Sequence, residues 1–181
     1  MNIDHPPLLP LVVDVGALMA ARTLRLVCAE SCTGGWIAKI ITDMAGVSSW
    51  FEASLTVYSN AAKQRLLGVP SATLRQWGAV SSETAAAMVS GALALSAADI
   101  ALAVTGIAGP SGGDAHKPVG TVWIAWQHRL TAVHTQGFFF HGNRDQIRYQ
   151  SVVAALKGLI DYLDPSRVER DQGPHPNDRP C

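Results

Sequence analysis

The stretch LRLVCAESCTGGWIAKIITDM, residues 24–44, gives the clearest indication of the fold. An apolar run that ends at Ala29 predicts a buried β-strand, and the spacing of apolar residues after Gly34 predicts an α-helix that extends to Met44. The residues between them, 30–35, are polar and end in two glycines. A buried strand that turns directly into a helix is the first half of an α/β unit.

The rest of the sequence continues this alternation. Further strands are predicted at residues 51–59, 100–104, 119–127 and 131–140. Helices are predicted at residues 8–21, 61–67, 73–77, 81–96 and 143–163. Helices between the early strands favour parallel neighbours, whereas the short connection between the last two strands indicates a hairpin with an antiparallel strand. We therefore expect a single α/β domain, with one mixed sheet of about five strands and helices on both faces, a three-layer α/β/α arrangement.

Length and composition restrict the class of protein. With 181 residues, 48% hydrophobic and 15% charged, the chain is predicted to form one globular domain over residues 1–163. The polar residues 164–181 are predicted to be disordered. Lysines and arginines, 14 in all, balance 14 aspartates and glutamates, so the charge predicts neither a nucleic-acid partner nor a membrane surface. The apolar stretch 8–21 is too short to span a bilayer, and no basic segment precedes it, so no signal peptide is predicted.

The cysteines indicate the compartment. An odd and low number, namely Cys28, Cys32 and Cys181, is typical of the reducing cytoplasm rather than of a disulfide framework. A metal site is not predicted, because no histidine lies near Cys28 or Cys32 and the six histidines are scattered singly.

Polar clusters follow three of the predicted strands, at residues 30–35, at residues 58–60 with Lys63, and at residues 105–113. Each cluster alone is more typical of a plain turn than of a site. Ligands of parallel sheets bind beyond the carboxyl ends of the strands. Three clusters at one edge of one sheet therefore predict a binding or catalytic site.

Ser31 is the candidate nucleophile of this site. A serine on a turn from strand to helix has an accessible hydroxyl, and the amides of Thr33, Gly34 and Gly35 are predicted to be free at the helix start, where they suit an oxyanion or a phosphate. The G-x-S-x-G pattern of other serine hydrolases is absent. The alternative is that Ser31 or Thr33 only caps the helix. Cys32 is a second candidate nucleophile, since thiolates react readily at helix N-termini.

Lys63 is the candidate base for Ser31. With Asn60 as the predicted N-cap, Lys63 occupies the third helical position, where the helix dipole and partial burial lower the pKa of its amine. A neutral lysine accepts a proton from serine in known Ser–Lys enzymes. The Tyr58 hydroxyl is placed to link the two side chains. Spacing alone, however, favours a solvated surface lysine.

The glycine-rich segment TGIAGPSGGD, residues 105–114, offers backbone N–H groups. It lacks the Lys-Ser/Thr of a P-loop and the spacing of a dinucleotide fingerprint, so a nucleoside triphosphate is not predicted. A monophosphate or a carboxamide fits its scale better. Arg144 is a candidate for a bidentate contact to phosphate, the alternative being an ordinary surface arginine.

Six motifs occur in order: AESCTGG, YSNAAKQRLLGV, GAVSSETA, TGIAGPSGG, KPVGTVWIA and FHGNR. Together they closely resemble the CinA C-terminal-domain family, whose enzymatic members are nicotinamide-nucleotide amidases. The resemblance covers residues 11–163. It implies the stand-alone form, because the metal-dependent N-terminal domain of longer members is not expected before residue 11.

The resemblance implies hydrolysis of the carboxamide of nicotinamide mononucleotide to nicotinic acid mononucleotide and ammonia, without cofactor or metal. It implies Ser31 as nucleophile, activated by Tyr58 and Lys63. The candidate substrate-binding residues are Thr33, Gly34, Gly35, Asn60, Thr105, Gly106 and Arg144. The alternative is a catalytically silent module linked to competence or DNA damage. Apolar faces on the N-terminal helix and on the last two strands also predict a homo-oligomer.

Overall fold

The computed structural model describes residues 7–166. Its helices are α1 Leu9–Arg22, α2 Trp36–Thr42, α3 Asn60–Leu67, α4 Ser71–Trp77, α5 Ser82–Leu95 and α6 Arg144–Leu163, with a short 3₁₀ turn at Val47–Ser49. Its strands are β1 Leu26–Glu30, β2 Phe51–Thr56, β3 Ile100–Gly106, β4 Thr121–His128 and β5 His134–Phe139. The tail that was predicted to be disordered lies, from residue 167 onward, outside the described residues.

The five strands form one mixed sheet in the order β2-β1-β3-β4-β5. β1 pairs in parallel with both β2 and β3, whereas β4 pairs antiparallel with β3 and with β5. The predicted α/β fold with a mixed five-stranded sheet is confirmed. The carboxyl ends of β1, β2 and β3 meet at one edge, which is where the sequence places its polar clusters.

Helices cover both faces of the sheet because side chains alternate along each strand. On one face the strand residues Leu26, Cys28, Leu102, Ile124 and Trp126 pack against α1, α2 and α6. On the other face smaller side chains lie against α3, α4 and α5: Val27, Ala29, Ala101, Ala103 and Ala125. The alanines of α5, Ala85 and Ala92 among them, are fully buried there, which allows the helix to approach the sheet closely.

Several predicted elements are shorter than the sequence suggested, most clearly α2, β2 and β5, the last of which was predicted at residues 131–140. α2 begins at Trp36, not Gly34, because Gly34 and Gly35 adopt left-handed backbone conformations with φ of 63° and 89°. β2 ends at Thr56, and residues 57–59 connect it to α3. Among the described residues, no helix has both the length and the apolar character needed to cross a membrane.

The predicted cap of α3 was wrong by one residue. Ser59, not Asn60, is the N-cap: its backbone is extended, and its Oγ accepts a hydrogen bond from the Ala62 amide at 3.1 Å. Both residue types cap helices well, so the sequence does not distinguish them. Lys63 is therefore the fourth residue of the helix and not the third.

The substitution Gly91→Ala is expected to destabilise the fold. A Cβ on Gly91 of α5 would overlap the carbonyl oxygen of Leu67 and lie 2.8 Å from its carbonyl carbon, so α3 and α5 would have to separate. We expect the free energy of unfolding to fall by about 1–3 kcal/mol in urea denaturation, as for other overpacked sites.

Gly16→Ala in α1 is the matched control. The added Cβ would mainly meet the flexible end of Met44, 3.1 Å away. Removing a glycine from a helix interior stabilises it by up to about 1 kcal/mol, so this variant should be as stable as the wild type or slightly more so. Equal stabilities for the Gly91 and Gly16 variants would contradict the close approach of α3 to α5.

Candidate active site

Ser31 follows β1 directly and lies beside the end of β3. Its backbone amide donates to the carbonyl oxygen of Val104 at 3.0 Å, which extends the pairing of β1 with β3 by one residue. The residue is only 7% exposed. Lys63 of α3 reaches its hydroxyl, with 2.9 Å between Lys63 Nζ and Ser31 Oγ. The structure thus brings together two residues that are 32 positions apart in the sequence.

Lys63 is buried, not solvated, with 1% of its surface exposed. Its Nζ lies 3.0 Å from the carbonyl oxygen of Val57 and 3.0 Å from that of Tyr58, in addition to its contact with Ser31. Within residues 7–166 no carboxylate pairs with it. Burial lowers the pKa of Lys63 below its ordinary value. The direction agrees with the prediction, but the main cause is burial rather than the helix dipole.

The three oxygens around Nζ differ in what they can do. Carbonyl oxygens only accept hydrogen bonds, so Val57 and Tyr58 take two N–H groups of the amine. A neutral amine has two N–H groups and one lone pair. The lone pair is then left facing Ser31 Oγ, and the serine hydroxyl becomes the donor. This geometry suits proton transfer from Ser31 to Lys63.

Tyr58 holds Lys63 through its carbonyl, and the predicted hydroxyl link between Ser31 and Lys63 is wrong. The Tyr58 side chain is 64% exposed, and its hydroxyl accepts a hydrogen bond from Arg144 Nη2 at 3.4 Å. Arg144 also donates from Nη1 to the carbonyl oxygen of Gly109 at 2.8 Å. The exposed Arg144 side chain therefore lies between the segment that follows β2 and the glycine-rich segment after β3.

Residues 31–35, here called the nucleophile loop, differ from the prediction in which of their amides are free. The Gly34 amide donates to the carbonyl oxygen of Ser31 at 3.1 Å, closing a tight turn, so it is not free. The amides of Thr33 and Gly35 have no acceptor among the described residues. The Thr33 hydroxyl is buried and likewise has no partner there. Two of the three amides that were predicted to be free, those of Thr33 and Gly35, thus remain available, and the Cys32 amide likewise has no acceptor within residues 7–166.

Glu30 was not predicted as part of the site, although it precedes Ser31. It is fully buried, and its carboxylate accepts hydrogen bonds from the Ile37 and Ala38 amides at 3.0 and 2.9 Å and from Ser54 Oγ at 3.1 Å. A carboxylate at the start of a helix is favoured by the helix dipole. Glu30 therefore caps α2 in place of a side chain at the N-cap. The sequence did contain an indication of this role: an acidic residue, Glu30, directly follows a predicted buried strand and precedes a glycine pair and a helix.

Arg148 of α6 contacts the nucleophile loop from the other side. Its Nε donates to the carbonyl oxygen of Cys32 at 3.1 Å and its Nη2 to that of Thr33 at 2.6 Å. The guanidinium also lies 5.1 Å from the ring centre of Trp36. More than 110 residues separate Arg148 from the loop, and no local pattern in the sequence indicates the contact.

The other predicted substrate-binding residues differ in role. Thr105 is 1% exposed, and its hydroxyl donates to the carbonyl oxygen of Ala79 at 2.7 Å, so it connects the end of β3 to the segment before α5. A side chain on Gly106 would lie 2.7 Å from Val122 Cγ2 and 3.1 Å from Cys32 Sγ, so only glycine fits there. Asn60 is the exposed first residue of α3.

Cys32 is poorly suited to be the nucleophile. Its side chain is buried, and burial raises the pKa of its thiol to about 12. The reactive form of cysteine is the thiolate, which is disfavoured under these conditions. The hydroxyl of Ser31, in contact with Lys63, is the better candidate.

Comparison with known proteins gives a consistent result. The family model for the CinA C-terminal domain matches residues 9–163. Nicotinamide-nucleotide amidohydrolase PncC of Enterobacter agglomerans is 49% identical over 150 residues, which cover 83% of this chain and 92% of the relative. PncC of Escherichia coli K12 is 47% identical over 84% of this chain and 92% of its own length. The CinA-like protein of Geobacter sulfurreducens is 51% identical over 80% of this chain but only 35% of its own length.

A solved structure is also similar. The competence/damage inducible protein CihA from Agrobacterium tumefaciens has a TM-score of 0.85 and 40% identity, with 91% of this chain and 99% of that protein covered.

The low pKa of Lys63 predicts a specific dependence of stability on pH. Between the folded pKa and the ordinary value of 10.5, the unfolded chain binds more protons than the folded protein, so stability rises with pH. The free energy of unfolding of the wild type minus that of Lys63→Met should therefore increase through this range and level off above it. Urea unfolding at a series of pH values measures the difference.

Lys157→Met is the matched control, because it makes the same substitution, with the same loss of one lysine, at an exposed position. A difference between the wild type and Lys63→Met that stays flat, or falls, as the pH rises would show that the fold does not disfavour the charged amine.

Proposed function

The chain belongs to the CinA C-terminal domain family, and from this premise we propose that it hydrolyses the carboxamide of nicotinamide mononucleotide to nicotinic acid mononucleotide and ammonia. The relatives named as nicotinamide-nucleotide amidohydrolases match over 92% of their length. The observation that carries the mechanism is the buried contact of 2.9 Å between Lys63 Nζ and Ser31 Oγ, where no carboxylate of residues 7–166 pairs with the lysine.

We propose that the reaction begins with proton transfer from Ser31 to neutral Lys63. Ser31 Oγ attacks the carboxamide carbon, and the carbonyl oxygen of the substrate becomes an oxyanion. The lysine amine becomes an ammonium, whose three N–H groups have acceptors in Val57, Tyr58 and the serine oxygen. The proton is thus held in a site already arranged to receive it.

The second half of the reaction releases the products. The Lys63 ammonium donates its proton to the amide nitrogen, the C–N bond breaks, and ammonia leaves with the acyl group still on Ser31. Water then gives a proton to Lys63 and attacks the ester carbon. Protonation of Ser31 by Lys63 releases the carboxylic acid and restores the starting state.

The free amides of the nucleophile loop are the proposed oxyanion donors. The Thr33 and Gly35 amides lack an acceptor within the described chain, and the unpartnered Thr33 hydroxyl offers a third donor. Gly34 contributes to the shape of the loop through its left-handed backbone. The amide nitrogen of Gly34 is used within the turn and has no part in this role.

The exposed Arg144 is the proposed contact to the substrate phosphate. Its guanidinium joins Tyr58 and Gly109 at the mouth of the site, and its remaining N–H groups are available to an anion. The exposed residues Tyr58 and Asn60 follow the end of β2 beside Lys63 and are the further proposed contacts to the substrate. Thr105 and Gly106, at the end of β3, are proposed to shape the wall of the site rather than to donate a hydrogen bond to the substrate.

We also propose that the protein works in the reducing cytoplasm as a homo-oligomer. Cys28 and Cys32 are free thiols, which suits a reducing compartment. Large apolar side chains are half exposed on α1, at Leu9 and Val13, and on the edge strand β5, at Phe139. Burial of such surface by a second copy would stabilise an assembly.

The Ser31→Ala variant tests the proposed activity. Purified wild type is expected to release ammonia from nicotinamide mononucleotide in buffer without added metal. Removing the nucleophile of a serine hydrolase typically costs at least about 10³-fold in turnover, and we expect a loss of that size. An enzymatic ammonia assay on a panel of pyridine nucleotides measures both the loss and the preferred substrate.

Cys32→Ala is the matched control at the neighbouring position of the loop. It should retain turnover, because the buried thiol is not the nucleophile. Full activity of Ser31→Ala would contradict the assignment of Ser31 as the nucleophile. A wild type with no turnover and no acyl-enzyme would instead favour the catalytically silent module.

The oligomeric state is measurable by sedimentation equilibrium. We expect a mass that is a multiple of the 19.2 kDa of one chain. Val13→Asp or Phe139→Asp should shift the mass toward one chain, and the variant that does so identifies the apolar face involved. A wild type that sediments at the mass of a single chain would overturn the proposal.

A further inference from the structure

Arg148 has no part in the proposed chemistry, yet it is held tightly against the nucleophile loop. Its Nε and Nη2 donate to two successive carbonyl oxygens, those of Cys32 and Thr33. Its guanidinium packs over the ring of Trp36, the first residue of α2. A planar guanidinium that donates two hydrogen bonds and stacks on an aromatic ring has a fixed orientation. Arg148 therefore restrains the peptide planes of the loop.

The restraint determines where the free amide of Thr33 points. In a trans peptide the C=O of one residue and the N–H of the next point in opposite directions. The Cys32–Thr33 bond is trans, and its carbonyl oxygen is directed to Arg148. The Thr33 N–H is consequently directed away from Arg148 and α6, and it has no acceptor among residues 7–166.

We infer that Arg148 is a positioning residue, which aims the Thr33 N–H at the substrate oxyanion by holding the Cys32 carbonyl from behind. The inference rests on the proposed amidase function and deepens it. The positive charge of Arg148 on the carbonyl end of the peptide also polarises the N–H at the other end, since hydrogen bonds in series strengthen one another. Arg148 acts on the reaction only through the loop backbone.

A direct role of Arg148 in binding the phosphate is less consistent with its contacts. The two donors that face the loop are occupied by carbonyl oxygens, and the side chain is half-buried. Arg144, one turn earlier on the same helix, is the exposed guanidinium at the mouth of the site. The two arginines of α6 therefore have separate tasks, one on the substrate and one behind the loop.

Steady-state kinetics of Arg148→Met with nicotinamide mononucleotide test the inference. An oxyanion forms only after attack, so a misdirected donor lowers kcat without weakening substrate binding. Loss of one such donor in other enzymes costs about 10²–10³-fold in kcat, and we expect about 10²-fold with KM changed by less than about threefold. Arg148→Lys, which can donate to one of the carbonyls, should recover part of kcat.

Arg144→Met is the matched control on the same helix. Because Arg144 is proposed to bind the phosphate of the ground state, its loss should raise KM more than it lowers kcat. The pH–rate profile gives a further readout. Arg148→Met should leave the midpoint that reports Lys63 in place, because the altered group is the oxyanion donor and not the base.

Trp36→Leu provides a second variant if Arg148→Met does not fold. It removes the ring on which the guanidinium stacks and keeps both donors, so a smaller loss of kcat is expected, again at constant KM. Thermal unfolding by circular dichroism checks that each assayed variant is folded at the assay temperature.

Several results would overturn the inference. An unchanged kcat in folded Arg148→Met, or a rise in KM that accounts for its loss of activity, would remove Arg148 from the positioning role. A shifted midpoint of the pH–rate profile would show that it acts on Lys63 instead. These results differ from failure of the proposed function, in which Ser31→Ala retains activity or the wild type has none.

Discussion

Lys63 is buried, and no carboxylate in the described part of the chain pairs with it. The arrangement of the site depends on keeping it that way. An isolated ammonium is costly in a buried environment, so the fold favours the neutral amine that the proposed catalysis by Ser31 requires. The amine is held by the carbonyl oxygens of Val57 and Tyr58, which belong to the short segment between β2 and α3. That segment is fixed by the Ser59 cap at one end of α3 and by the contact of Gly91 with Leu67 at the other. Backbone packing, rather than an ion pair, thus fixes the position of Lys63, the proposed base.

The alternation of side chains along β1 explains how an acid and a base can lie close in sequence without pairing. Glu30 is on the face of the sheet that carries α2, where its carboxylate is used by the Ile37 and Ala38 amides. Ser31 contacts Lys63 of α3, which packs on the opposite face. A shift of one residue in the end of β1 would bring Glu30 toward the amine and stabilise its charged form. The pairing of Ser31 with the Val104 carbonyl at the end of β3 helps to fix this register.

The sequence predicted the features that depend on local pattern and on topology. The apolar period, the glycine stops and the short connection after β4 were sufficient for the mixed sheet. The meeting of strand ends made Lys63 only a candidate base for Ser31, and the resemblance to the family was needed to favour that pairing over a surface lysine. The sequence failed where two local solutions are equally good, as for Ser59 and Asn60 at the start of α3. It also failed where the result depends on which way a backbone group turns, as for the Tyr58 carbonyl and the Gly34 amide. Arg148 could not be found at all, since its contact with the loop requires the packed position of α6.

The same backbone groups explain why the proposed reaction needs few charged side chains. Proton transfer from Ser31 to Lys63 followed by attack converts two neutral groups into an ammonium and an oxyanion inside one buried site, with no change in net charge. The ammonium end meets carbonyl oxygens that are already in place, and the oxyanion end meets free amides of the nucleophile loop. Dipoles fixed before the reaction stabilise such a charge pair without reorganising, which water cannot do. Ser59, the N-cap of α3, fixes the segment that carries the carbonyl groups around the amine, and Arg148 of α6 fixes the amides of the nucleophile loop. The two residues are therefore equivalent in kind: each fixes the backbone on one side of the reacting atoms without touching them.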